Sequence, residues 1–112
     1  MKATHHELCF GCGLANVFGL GLEAERDDAG IVRGRFFVKQ DHQGPGGTAH
    51  PGVLAAALAE AISLSAGEQP THLEIELVDS PPVGSFVMVE ASPDSATLRG
   101  ESLAVLASAR SG

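Results

Sequence analysis

Apolar and polar positions change their period twice along the chain, and the changes mark its elements. Leu20–Arg26 alternates and predicts a first strand. Asp27-Asp28-Ala29-Gly30 is a turn signal, and Ile31–Val38 alternates imperfectly, so a hairpin of two strands is expected. Lys39–Thr48 is a loop rich in Gly and His. The period then becomes helical: Leu54, Leu58, Ala61, Ile62 and Ser65 share one face. Pro51 fits the first helical position, where its missing N–H costs nothing, with Thr48 or His50 as the cap. Gly67 suits the C-terminal cap. Val53, Ala56, Ala57 and Glu60 lie near another face that is also apolar, which predicts a helix covered on nearly all sides. Period two returns in His72–Val78, with Leu73, Ile75 and Leu77 facing one way, and in Ser85–Ala91. Ser95–Leu106 and Ala107–Arg110 predict one bent strand or two short ones. Two strands, one helix and three or four further strands give an α+β class, an antiparallel sheet packed on a single helix. One domain over residues 1–112 is expected, with residues 1–8 loose.

Charge and composition narrow the function. A net charge of −7 with no basic cluster argues against nucleic acid or an anionic membrane surface as partner. The longest apolar run is interrupted by Glu60 and Ser63, so no membrane span is expected. MKATHHELCF has no signal-peptide apolar core, and a cytoplasmic location is the expectation. With no Trp, no Tyr and only 5 Phe, the core must be aliphatic, and a second copy is expected to cover its open faces.

Glu60 is the one charge between Val53 and Gly67. Burying a carboxylate is costly unless it is paired or does chemistry, which makes Glu60 the leading functional candidate. Its ordinary alternatives are a partner in Arg33, Arg35 or a loop N–H, or a place at a dimer seam. Cys9 and Cys12, with His5 or His6, have metal-ligand spacing. A closed structural zinc site needs about four ligands, and the chain has no second Cys pair. Reduced, buried thiols are therefore expected, with no cofactor and no metal; a small zinc-bearing structural module is a third reading resting on the cysteines alone. The Gly44–Gly47 loop lacks the Gly-Lys-Ser/Thr ending of a phosphate loop.

Two stretches carry a family resemblance. CFGCGLANVFGLGL (Cys9–Leu22) is similar to a Cys-Phe-x-Cys-Gly-x-x-Asn-Pro-x-Gly-Leu-x-Leu opening. HQGPGGTAHPGVLAAALAEAI (His42–Ile62) resembles a His-Gln-Gly-x-x-Gly-x-x-His-Gly-Gly loop followed by a central helix with an acidic residue. Both belong to hotdog-fold acyl-CoA thioesterases, the group related to phenylacetate-pathway thioesterases. The resemblance implies a sheet wrapped around the helix, a dimer or tetramer, and an active site at the dimer interface that takes acyl-CoA or another thioester. A backbone N–H at the helix start would hold the thioester oxygen, and a helix carboxylate from the partner would act as base or nucleophile. Carried over, the catalytic candidates are Glu60, Gly52, His50 and Asn16. Those bordering the substrate path are His42, Gln43, Gly46 and Gly47.

The chain departs from the pattern twice. The first glycine of His-Gly-Gly is Pro51, which has no N–H to offer. The acidic position eight residues later is Ala59, with Glu60 one place beyond. The expected function is an acyl-CoA thioesterase that hydrolyses a small or medium acyl or aryl thioester to acid plus CoA, its donor–carboxylate pair shifted by one to Gly52 and Glu60, a helical rotation of about 100°; the alternative is that hydrolysis is lost and the protein binds a thioester without cleaving it.

Overall fold

The computed structural model describes residues 1–111. Its strands are β1 (Lys2–Ala3), β2 (Glu23–Arg26), β3 (Val32–Phe37), β4 (Leu73–Leu77), β5 (Phe86–Ser92), β6 (Ser95–Arg99) and β7 (Val105–Ser111). The one α-helix, α1 (Pro51–Ala66), lies between β3 and β4. Among the described residues the strands form one antiparallel seven-stranded sheet in the order β1-β2-β3-β5-β6-β7-β4. The sheet wraps around α1, which is the hotdog architecture.

The β2–β3 hairpin forms where expected. Asp27 Oδ1 accepts from the N–H groups of Ala29 and Ile31 at 2.9 and 3.0 Å, and Gly30 takes the left-handed conformation, φ 86°. These bonds, that from Ile31 foremost, hold the Asp27 carboxyl below its ordinary range. The first strand is shorter than the alternation suggests. Leu20 and Leu22 are fully buried and bond through their N–H groups to Phe10 and Gly11 carbonyls at 2.7 and 2.8 Å, so this segment serves the N-terminal loop instead of the sheet.

The helix begins and ends as the sequence predicts. Pro51 opens it, His50 caps it, and Gly67 closes it at φ 81° with its N–H on the Ser63 carbonyl at 2.9 Å. Leu54, Leu58, Ala61, Ile62 and Ser65 are all buried, against Val32, Phe36, Val87 and Leu98 of the sheet. In the single chain Val53, Ala55, Ala56, Ala59 and Glu60 stay partly exposed. The last segment is two strands with the break at Gly100–Ala104, not near Leu106. Gly100 N–H bonds to the Ala104 carbonyl at 3.0 Å and Leu103 takes φ 71°.

Residues 1–8, expected to be loose, include a two-residue strand. Lys2 and Ala3 add a short edge to β2, and the Arg26 N–H bonds to the Met1 carbonyl at 2.7 Å. Two residues carry no readable alternation, so sequence periodicity could not find this strand.

Candidate functional site

Two places bear the chemistry that the sequence singles out. They lie on the same helix, at its start and past its middle.

At the start, His50 adopts an extended backbone, and its Nδ1 accepts the Gly52 N–H at 2.8 Å. The Val53 N–H bonds to the His50 carbonyl at 2.9 Å, and Pro51 has no N–H. The first three helical positions thus present no free donor. His50 is the helix cap. Gly46 and Gly47, in a single 3₁₀ turn, occupy left-handed conformations at φ 66° and 77° that favour glycine. Gln43 is exposed beside them.

Glu60 faces the N-terminal loop. Its Oε2 lies 2.8 Å from His5 Nδ1 and accepts from the Cys9 thiol at 3.4 Å. His5 Nδ1 is also 3.8 Å from Cys9 Sγ and 3.7 Å from Cys12 Sγ. The far side of the His5 ring, Nε2, meets the hydroxyl of buried Ser63 at 3.1 Å. Cys12 Sγ accepts the His5 backbone N–H at 3.1 Å and the Thr4 hydroxyl at 3.6 Å. Burial foremost, then its bond to Glu60, pushes the Cys12 thiol up to about 11. The carboxylate is nearly covered, with 12% of its side chain exposed. One imidazole nitrogen, two sulfurs and one carboxylate oxygen therefore converge, all within 4.8 Å of one another.

The arginines do not reach Glu60. Arg33 pairs with Asp27 and Glu90 at 3.2 and 3.5 Å, and Arg35 lies over the Phe86 ring at 4.5 Å. The Glu60 partners are His5 and Cys9, more than 50 residues away in sequence. His6, equally eligible by sequence, instead accepts the Leu8 N–H at 3.1 Å. Sequence reasoning did not reach Ser63, Thr4 or Gly11. Gly11, inside the Cys9–Cys12 motif, leaves the space in which Glu60 lies: a Cβ there would be 2.4 Å from Glu60 Cγ.

Asn16 spends its amide on the loop. Its Nδ2 donates to the Leu8 carbonyl at 3.1 Å and its Oδ1 accepts from the Phe18 N–H at 3.0 Å. His42 is 2% exposed; Nδ1 accepts the Lys39 N–H at 3.1 Å and Nε2–H donates to the Gly19 carbonyl at 3.2 Å. It ties the 39–42 turn to the N-terminal loop. Gly52 and Glu60 are eight residues apart, or about 12 Å along the axis. One chain cannot bring them to the same carbonyl. A cavity of about 550 Å³ is an open dish on β4, β6 and β7, lined by Glu74, Glu76, Thr97 and Arg110, away from both places.

No protein-family model matches the chain, and no curated protein matches it. Solved structures do. A thioesterase superfamily protein superposes with a TM-score of 0.75 at 22% identity over 87% of this chain, which spans 57% of that structure. The Escherichia coli PaaI protein from the phenylacetic acid degradation operon gives 0.70 at 12% identity, covering 81% of this chain and 76% of its own. A Streptococcus mutans protein bound to acetyl CoA gives 0.67 at 14% identity, covering 79% and 82%. At these identities the likeness is one of fold, and the fold is that of thioesterase superfamily proteins.

Proposed function

We propose that this hotdog chain binds acyl thioesters of the CoA type and, of the two fates open to a bound ester, retains it without hydrolysis. The ligand class rests on the fold, on the two resembling motifs, and on the acetyl CoA held by one protein of the same fold. Exposed apolar side chains at Phe10, Val17 and Phe18 offer surface to an acyl chain beside α1.

The observation that carries retention is the Gly52 N–H on His50 Nδ1. An oxyanion hole needs donors aimed at the developing charge and free to meet it. Here Pro51 has none, and those of Gly52 and Val53 are engaged. The carboxylate is engaged as well, by His5 and Cys9. Hydrolysis by a shifted Gly52–Glu60 pair is the second reading. One observation favours it: Glu60 is the one charge on the helix between Val53 and Gly67.

The test measures binding and thiol release on the same protein. Acetyl-, hexanoyl- and phenylacetyl-CoA, and a thioether analogue that cannot be cleaved, are titrated by calorimetry, with free thiol followed in parallel. Saturable binding of esters and analogue with no release above the buffer rate is the expected result. No binding across the panel overturns the ligand class. Release that collapses in Glu60→Gln establishes hydrolysis in place of retention.

A further inference from the structure

We propose that His5, Cys9, Cys12 and Glu60 bind one divalent cation of the zinc class, with Nδ1, two sulfurs and one carboxylate oxygen as its four ligands. This goes beyond thioester binding and rests on different residues from the helix start.

The spacing fits such an ion. Zinc bonds of about 2.3 Å to sulfur and about 2.0–2.1 Å to nitrogen or oxygen, at tetrahedral angles, separate sulfur from nitrogen or oxygen by about 3.5–3.6 Å. His5 Nδ1 lies 3.8 and 3.7 Å from the two sulfurs, and Cys9 Sγ lies 3.4 Å from Glu60 Oε2. Of these four separations the 2.8 Å between Nδ1 and Oε2 is too short, against about 3.3 Å for two ligands of one ion. Half an ångström of opening is a small turn of the His5 side chain, which is 38% exposed.

The surroundings are built for the same purpose. A metal-bound imidazole donates its other N–H to a fixed acceptor, which sets the tautomer and the ring plane. His5 Nε2 has that acceptor in the Ser63 hydroxyl at 3.1 Å, and Ser63 is buried. Cys12 Sγ receives a backbone N–H and a hydroxyl, donors that stabilise negative charge on sulfur. Gly11 keeps clear the space that the Glu60 side chain fills on its way to the cluster.

The donor set selects the ion. Two sulfurs and an imidazole are soft or borderline ligands, which suit zinc and discriminate against magnesium or calcium. Each thiol releases its proton to solvent as it binds, so two thiolates, one carboxylate and a neutral imidazole surround the 2+ charge. With all four positions filled by protein the site is closed and structural. It fastens the N-terminal loop to α1 and keeps Glu60 from activating water.

Metal analysis of the full chain, purified reduced from zinc-supplemented cells, tests this, with Co(II) as a spectroscopic substitute. One zinc per chain is expected, and a Co(II) form with a sulfur-to-cobalt charge-transfer band and the intense d–d absorption of tetrahedral coordination. Cys9→Ser should lose stoichiometric loading. Ser63→Ala should weaken zinc about 10–100-fold, by removing the partner of the His5 ring. Gly11→Ala, which leaves every ligand in place, should also weaken it, and His6→Ala should not. Circular dichroism monitors folding; should Cys9→Ser not fold, the contrast of Ser63→Ala with His6→Ala decides. A protein with two titratable thiols and no zinc, or one whose zinc survives Cys9→Ser, overturns the site. Acyl-CoA binding is a separate readout, so its failure leaves the zinc result standing.

Discussion

His42 shows how a single side chain can be more informative about stability than about substrate. Burial foremost lowers its pKa below the ordinary 6.5, and nearby Lys39 adds to the effect. The ring is held neutral between the Lys39 N–H and the Gly19 carbonyl. Below pH 6.5 the unfolded chain takes up a proton that the folded chain resists. Stability is therefore fully present above 6.5 and falls as the pH drops from there toward the lower folded value. Denaturant unfolding at pH 7.5 and 5.5 checks this: His42→Gln should lose less stability across the interval than the natural chain, and equal losses would remove His42 as the cause. At the same scale Glu60 follows from desolvation. A carboxylate that is 12% exposed needs partners, and His5 and Cys9 supply them.

At the scale of the element, α1 is held by its ends as much as by its apolar face. Its N-terminal donors go to His50, and its C-terminus is closed by Gly67 in a conformation that places any Cβ against the following carbonyl. Gly67→Ala should cost about 1 kcal/mol, read as a lower urea midpoint with an unchanged slope. Beyond its own chain neighbours and the adjoining helix backbone no described atom lies within 4 Å of a Cβ built at Gly67, so the cost is local backbone strain, not crowding by another element. An unchanged midpoint would mean that the helix end re-forms without the left-handed turn.

Among the described residues the sheet ends on the two-residue β1 at one edge and on β4 at the other, and one flank of α1 is partly exposed. β4 pairs only with β7, and Leu77 and Val78 at its end are 50% and 59% exposed. Val53, Ala56 and Ala59 on α1 are partly exposed. An uncovered strand edge with apolar ends invites a second copy. Light scattering behind size exclusion should give twice the chain mass, and Leu77→Lys should shift it toward the monomer. A natural chain that is monomeric at micromolar concentration would refute pairing through β4.

The helix, its caps, the β2–β3 hairpin and the strand order after α1 were legible in the sequence, because each rests on local periodicity or on residues with a special backbone preference. Pro51, His50 and Gly67 announce the helix ends, and the lone charge at Glu60 announces a carboxylate with a task. The partners of that carboxylate were not legible. His5, Cys9 and Cys12 stop at three ligands along the sequence, and only the packing of the N-terminal loop across α1 brings the fourth to them. Periodicity describes neighbours a few residues apart, whereas the cluster joins residues more than 50 apart. The same holds for the helix start. His50 could cap or contact substrate by its sequence, and only three-dimensional geometry places its Nδ1 on the Gly52 N–H as the cap.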